Sequence, residues 1–485
     1  MTAVESDQGT TSAAVLKVRD PATGHLLDTL PVDGPEAVHA TLARAREAFP
    51  GWSDTPVEER ARALFDIAAA VRANAAEIAR IVSREGGQII AEAEIEVETA
   101  ALTFEFYAGV ARHYGGPAIP STSATTENIV RKDPIGVVAA IVPWNYPLTL
   151  WAWKAAPAIA GGSVVVSKPS PETPLSILRV QELMTSSGLP DGVHQVVVGG
   201  AETGHALISD PLVDGIAFTG SVAAGKEILR TAAENLTTIC TLELSGHDPF
   251  IVADDVDVPL AAELVAFNSF LHTGQICVAT ERVYVAEAIF DEFVENIVKQ
   301  ARVIRLGDPL DYGTDMGPVM NDRQMAHLEA YVAKAVALGA TVHTGGKKSP
   351  EHGELFFEPT VITGLTHTQI TDMGEIFGPI VPIVPVSSFD EAIRLANDSL
   401  MGLGSCVVTG NLERAMQASR QLRSGSVWIN SGTNDAFGGP FGGFRQSGQG
   451  RELGIEGYEA FLQSKHVTIA HKLEPSPYWF GRRHD

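Results

Sequence analysis

Between residues 135 and 245 the chain alternates short apolar runs with longer stretches of helical composition. Residues 136–142 ("GVVAAIV") form a β-branched run closed by a proline-rich turn, which predicts a buried strand. Residues 148–160 ("LTLWAWKAAPAIA") predict a helix and 163–170 ("SVVVSKPS") a second strand. A second helix is expected over 173–188, with Pro174 in its first turn and Gly188 at its end. A third strand (193–200), a short helix (202–210), a fourth strand (213–220), a helix (222–235) and a fifth strand (237–244) complete the series. Strands and helices alternating at this spacing predict a parallel, doubly wound α/β sheet, which binds ligands at the carboxyl ends of its strands.

A second α/β alternation occupies roughly 246–440, with strand-like runs at 282–287, 379–386, 404–410 and 425–430 and helical stretches at 289–304, 389–398 and 412–423. A further helical stretch, 260–271, leads into "HTGQICVATERV" (272–283), where Cys277 stands in a glycine-containing loop. A chain of 485 residues is too long for one core, so two or three substructures are expected.

Composition narrows the function classes. Mean hydropathy of +0.08 marks a soluble globular protein. A formal net charge of −24 argues against nucleic acid or an anionic membrane as partner and suits the cytoplasm. The polar, acidic N-terminus shows no signal-peptide pattern, and the apolar runs are far too short to span a bilayer. The cysteines, Cys240, Cys277 and Cys406, are odd in number and lack CxxC spacing, which points to a reducing compartment. The 14 histidines show no clustered ligand spacing, so no metal is expected. Cys240 and Cys406 lie in strand-like runs and read as core.

The loops at the predicted strand ends hold the unusual residues: "PWNYP" (143–147), "SKPSPETP" (167–174) and "FTGSVAAG" (218–225). In the last, Gly220 and Gly225 bracket a strand-to-helix turn with Ser221 at the helix N-cap, where N–H groups and the helix dipole can hold a phosphate. Neither the G-x-G-x-x-G fingerprint nor a P-loop is present there. "GQGRELG" (448–454) follows no strand and "TGGKKS" (344–349) lacks the P-loop spacing, so neither reads as a nucleotide loop.

"PWNYP", "KPS…TP", "FTGSxxxG", "LELSG", "GQIC", "EIFGP" and "PFGGFRQSGQGRELG" occur here in the order of the NAD(P)-dependent aldehyde dehydrogenase superfamily, which the chain resembles over about residues 17–470. Glu243 and Cys277 stand 34 residues apart, as in that family. The resemblance implies a cofactor domain (1–120, 135–245 and 445–460), a catalytic domain (246–444) and a small oligomerisation arm (121–134 and 461–472). It implies a homodimer or homotetramer, and an arm of extended strands makes a poor isolated edge. Cys277 would be the nucleophile, Asn145 with the Cys277 N–H the oxyanion donors, and Glu243 the base that activates water on a thioester. Trp144, Lys168, Ser170, Gly220, Ser221, Gly225, Leu244, Glu375 and Phe377 would hold the cofactor, and Phe104, Leu150, Trp153, Leu271, Ile276 and Phe441 would line the substrate tunnel.

Departures from the family pattern refine this. Pro171 stands where NAD-preferring members often carry a glutamate, which makes NADP possible; NAD is still expected, because no new basic residue stands beside Lys168 to grip a 2′-phosphate. Ser245 and His247 replace the usual glycine and lysine of "LELGGK". The implied tunnel is apolar and has no arginine for a second carboxylate, so uncharged aliphatic or aromatic aldehydes are expected, with a semialdehyde as the alternative. Intact Cys277, Glu243 and Asn145 argue against a non-catalytic relative, and Glu243 argues against a coenzyme A-acylating one.

Overall fold

A computed structural model describes residues 14–121, 123–473 and 475. The polar start of the chain, 1–13, and the tail from 476 lie outside the described residues. The chain opens with β1 (Val15–Arg19) paired to β2 (Leu26–Pro31), then four helices: α1 (Pro35–Ser53), α2 (Val57–Ala73), α3 (Ala75–Gly86) and α4 (Ile90–His113). None of these six was among the elements read from the pattern. After β3 (Ala118–Ile119) and β4 (Thr126–Pro134) comes the expected alternation. It runs β5 (Val137–Ile141), α5 (Pro147–Gly161), β6 (Val164–Lys168), α6 (Leu175–Ser186), β7 (His194–Val196), α7 (Ala201–Ser209), β8 (Gly215–Thr219), α8 (Val222–Asn235) and β9 (Thr238–Glu243). Pro174 caps α6 instead of lying in its first turn.

The second unit contains β10 (Asp248–Val252), α9 (Val258–Phe270), β11 (Thr280–Ala286), α10 (Phe290–Val303), α11 (Asp322–Ala337), β12 (Thr341–Thr344) and β13 (Thr360–Thr363). It continues with α12 (His367–Met373), β14 (Ile380–Val386), α13 (Phe389–Asn397), β15 (Cys406–Val408), α14 (Leu412–Gln421) and β16 (Trp428–Ile429). The chain closes with β17 (Gly448–Gln449), α15 (Gly454–Glu459) and β18 (Leu462–Ala470).

Four sheets result. One has the order β17-β9-β8-β5-β6-β7, all parallel except β17. The chain moves outward from β5 through β6 to β7, then returns to β5's other side with β8. The crevice at the carboxyl ends of β5 and β8 is therefore a topological switch point. The second sheet runs β12-β13-β14-β11-β10-β15-β16. A third, β18-β4-β3, is a long antiparallel ribbon in which β18 and β4 pair over their full lengths.

Burial explains these elements. The strands β6 and β8 are buried throughout, so a continuous Val/Ala/Ile run suits them better than alternation. Helix α5 is buried on every side and is accordingly apolar all round, apart from Thr149 and Lys154. Neither α5 nor α6 carries a side-chain cap of its own. Glu96 of α4 instead accepts the N–H groups of Leu148 (2.8 Å) and Thr149 (3.1 Å), and Glu85 of α3 those of Leu175 (2.6 Å) and Ser176 (3.0 Å). Two helices that follow site-bearing loops are thus capped by carboxyl groups from outside the sheet.

Candidate active site

The loop before Cys277 is held in an unusual backbone. His272 (φ 48°), Thr273 (φ 59°) and Gly274 (φ 68°) are left-handed in succession, which is costly for a β-branched threonine. Surrounding groups enforce it. The hydroxyl of Thr273 donates to Gly317 O (3.0 Å), the His272 N–H donates to Glu92 (3.2 Å), and buried Gln275 accepts from the Met320 N–H (2.9 Å). Asn145, in the turn after β5, donates its amide to Gln275 O (3.0 Å), two residues before the thiol. Burial raises the Cys277 pKa well above the usual thiol range, and the charges of Asp248, Glu243, Asp435 and Glu375 add to the effect. Gly246 abuts the Cys277 carbonyl, and a side chain there would collide with it. Cys240 and Cys406 are free and buried.

Glu243 ends β9 and is only 2% exposed. Neither of its oxygens closes a hydrogen bond. Its pKa is raised well above the carboxylate range by burial first and by Glu452 second, while Lys154, Arg451 and the Gly443 N–H pull it down. Gly442 makes room for it: a Cβ there would lie 2.6 Å from Oε1. Beside it is a fully buried ion pair, Lys154 to Glu452 at 2.6 Å, with Lys154 also donating to Thr219 (2.6 Å). A lysine inside the apolar 148–160 stretch was the sequence signal for this pair, and it was passed over.

On the cofactor side the expected residues gather at the switch point. Ser221 caps α8 by accepting the Ala224 N–H (3.3 Å), and the Gly220 N–H is tied to Glu243 O (2.9 Å). A Cβ on Gly225 would meet Leu244 at 2.6 Å, so helix and strand pack closely at that turn. Lys168 donates to Pro169 O and Gly199 O, both at 2.9 Å; burial lowers its pKa to about 8, with Glu172 opposing. Ser170 donates to Glu172 at 2.6 Å, so a carboxylate stands one residue after Pro171. Trp144 and Phe377 meet edge to face at 5.4 Å. Glu375 accepts the Gly246 N–H (3.2 Å), and its pKa is raised to about 7 by burial against the pull of Ser245 and Gly246. These donors, one carboxylate and a capped helix start fit a dinucleotide at a switch point.

A cavity of about 1000 Å³ opens onto Cys277, with Asn145 on its wall. Leu150, Trp153, Leu271, Ile276 and Phe441 line it as expected. Phe104 does not: it is wholly buried and packs on Trp151 with ring centroids 5.4 Å apart. Glu92, Ile95, Thr99 and Leu102 make up the cavity-facing side of α4, and Phe104 falls on the core side. Glu243 is not on the wall, although its charge acts on Cys277. The wall carries carboxyl groups but no Lys, Arg or His: Glu92, Glu96, Glu263, Asp315 and Asp435, with Asp315 paired to Arg305 (2.8 Å) and burial raising Glu92 to about 7 and Glu96 to about 8. The sequence reading missed them, although Glu92 and Glu96 sit among the buried Ala93, Val97 and Ala100 of α4, where an acid interrupts an apolar face.

Known proteins resemble the chain over nearly its whole length. A profile of the aldehyde dehydrogenase family matches residues 8–467. The chain is 38% identical to the peroxisomal aminoaldehyde dehydrogenase 1 of Pisum sativum, covering 94% of this chain and 92% of that one. It is 37% identical to the mitochondrial succinate-semialdehyde dehydrogenase of Arabidopsis thaliana, covering 94% and 86% respectively. A crystal structure of betaine aldehyde dehydrogenase from Staphylococcus aureus in complex with NAD+ superposes with a TM-score of 0.92 at 35% identity, covering 96% of this chain and 93% of that one.

Proposed function

The chain belongs to the aldehyde dehydrogenase family, and from that membership we propose that it uses NAD to oxidise an aldehyde with an apolar body to the carboxylic acid. The observation that carries this is the convergence of Cys277 and Asn145 on one cavity, with buried Glu243 close enough for its charge to act on Cys277. The deprotonated sulfur of Cys277 bonds to the carbonyl carbon, and the π electrons move to oxygen. The Asn145 amide and the Cys277 N–H stabilise that oxyanion. Bound NAD supplies a hydride acceptor. As the C=O re-forms, hydrogen leaves the carbon with its electron pair, and a thioester remains on Cys277. Glu243 takes a proton from water as the water adds to the thioester. The C–S bond then breaks, the acid leaves and the thiolate returns. For that step the Glu243 carboxylate must turn towards Cys277 or act through a second water.

Trp144, Lys168, Ser170, Gly220, Ser221, Gly225, Leu244, Glu375 and Phe377 hold the cofactor in this reading, within the cofactor domain and its neighbouring loops. Glu172 beside Lys168 supports NAD over NADP, because a carboxylate repels a 2′-phosphate. The long β4–β18 ribbon supports a homodimer or homotetramer. The free cysteines support a reducing setting such as the cytoplasm. No helix among the described residues is long and apolar enough to cross a membrane.

Apolar side chains beside the thiol and a wall that carries carboxyl groups but no Lys, Arg or His support neutral or amine-bearing aldehydes over anionic ones. The test is kcat/KM with hexanal, benzaldehyde, 3-aminopropanal and succinate semialdehyde. Succinate semialdehyde should be poorest, by about tenfold or more, because its carboxylate finds no cationic partner on the wall. If it is the best of the four, the substrate assignment is wrong.

A further inference from the structure

The loop that carries Glu375 and Phe377 is clamped from both sides, and one jaw is a residue with no part in the chemistry above. Glu281 stands four residues after Cys277, at the start of β11, and is 3% exposed. One of its carboxylate oxygens accepts the Ile376 N–H at 2.9 Å and the other the Phe377 N–H at 2.6 Å. The carbonyls of the same loop face α11. Gln324 donates to Ile376 O (3.1 Å) and Phe377 O (2.6 Å), and His327 lies 3.1 Å from Glu375 O. Phe377 is left-handed (φ 49°), a conformation that the two jaws hold in place.

These contacts close a ring. From Cys277 the chain runs directly to Glu281; Glu281 grips 376 and 377; Glu375 receives the Gly246 N–H; and Gly246 abuts the Cys277 carbonyl. His247, which departs from the family motif, faces Glu281 with its Nε2 3.9 Å from the carboxylate; that nitrogen closes no hydrogen bond, while the His247 carbonyl accepts from Arg282 (2.7 Å). A buried acid retained beside two other carboxylates, Glu375 and Asp248, is a poor source of stability, so its use must lie in what it holds.

We propose that Glu281 is a positioning residue that locks the 375–377 loop to the Cys277 segment and so keeps the cofactor-facing side chains in register with the nucleophile. The proposal rests on the reading of Glu375 and Phe377 as cofactor contacts. It acts through those residues and touches neither substrate nor reacting atoms.

The test uses the full chain with Glu281→Gln, Glu281→Ala and Gln324→Ala. Three quantities are measured: the Kd for NAD, the KM for a saturable aldehyde, and hydrogen exchange of the 376 and 377 amides without cofactor. Glu281→Ala should speed exchange at those amides and raise the NAD Kd about tenfold or more, since both bonds that hold the loop backbone are lost. Glu281→Gln and Gln324→Ala should move both in the same direction by less. The aldehyde KM should stay within about twofold, a split that a merely structural role would not produce. Gln324 is half-buried, so its variant keeps the test alive if the Glu281 variants do not fold. Faster exchange with an unchanged NAD Kd would overturn the proposal through its premise, because the loop would not be a cofactor contact. A raised Kd without faster exchange would overturn the clamp itself, as would an aldehyde KM that rises in step with the NAD Kd.

Discussion

A carboxylate that is buried, closes no hydrogen bond and lies near another acid binds its proton tightly, and Glu243 is in that position. For a general base this sets the direction of the pH dependence. Glu243 can take a proton from water only when ionised, and its pKa is raised, so hydrolysis should accelerate as pH rises from neutral into the alkaline range. Cys277 is raised as well, so thiol attack has an alkaline limb of its own. The two limbs separate in Glu243→Gln, whose amide cannot accept the proton. Steady-state turnover should drop about 10²- to 10⁴-fold. A burst of reduced cofactor close to one equivalent per active subunit should come first, and it should keep the limb that belongs to the thiol. Mass spectrometry should then find an acyl group on Cys277. Unchanged turnover in Glu243→Gln would remove Glu243 from the mechanism. A lost burst without adduct would assign it to thiol activation instead.

At the scale of elements, the borrowed helix caps govern where the site sits. Asn145 precedes α5, and Lys168 and Ser170 precede α6, yet each helix takes its first-turn acceptor from the bundle packed beside it. Both α5 bonds end on the same oxygen of Glu96, so Glu96→Gln can keep them while Glu96→Ala leaves two buried donors orphaned. The alanine variant should lose about 1–3 kcal/mol, seen as a lower Tm. Burial raises the pKa of Glu96 to about 8. Folding therefore binds a proton between the unfolded carboxylate value, about 4.3, and about 8, and stability falls as pH climbs through that window. Glu96→Gln cannot ionise, so its Tm should decline less than the parent's between pH 5 and pH 9; an equal decline would refute the assignment. These caps also mark the limit of what the sequence makes legible. The β5 to β9 alternation is readable because β5, β6 and β8 are buried apolar runs set between stretches of helical composition. Cys277, Asn145 and Glu243 are readable because their motifs are local. Glu85, Glu96 and Glu281 are not, since their partners lie 90, 52 and 95 residues away in the chain. Phe104 shows the same limit from the other side: an aromatic residue on a cavity helix can face the core, and only packing decides which.

For the whole molecule, the β18-β4-β3 ribbon presents the question of what covers it. Strands β4 and β18 pair over nine residues each, and most side chains on β18 are exposed, Ile469 among them at 44%. The outer edge of β18 has no strand beside it among the described residues, so its backbone N–H and C=O groups are open to pairing with another strand. Natural sheets blunt such an edge with charge or proline. Here the strand reads Leu-Gln-Ser-Lys-His-Val-Thr-Ile-Ala, with a single lysine, and the ribbon contacts the rest of the chain mainly at its base, near Phe461 and α15. An edge this long and this lightly protected is stable in solution when a second copy covers it. Light scattering should therefore give a mass that is a multiple of 51.5 kDa and independent of dilution over the micromolar range. Placing a buried charge in that contact by Ile469→Asp should lower the mass towards one chain at low concentration. The β5 to β9 unit should be untouched, so a far-ultraviolet circular dichroism spectrum unchanged apart from the ribbon is the control. A wild-type mass of one chain at every concentration would show that the ribbon stands alone, and the family-like assembly would have to be abandoned for this protein.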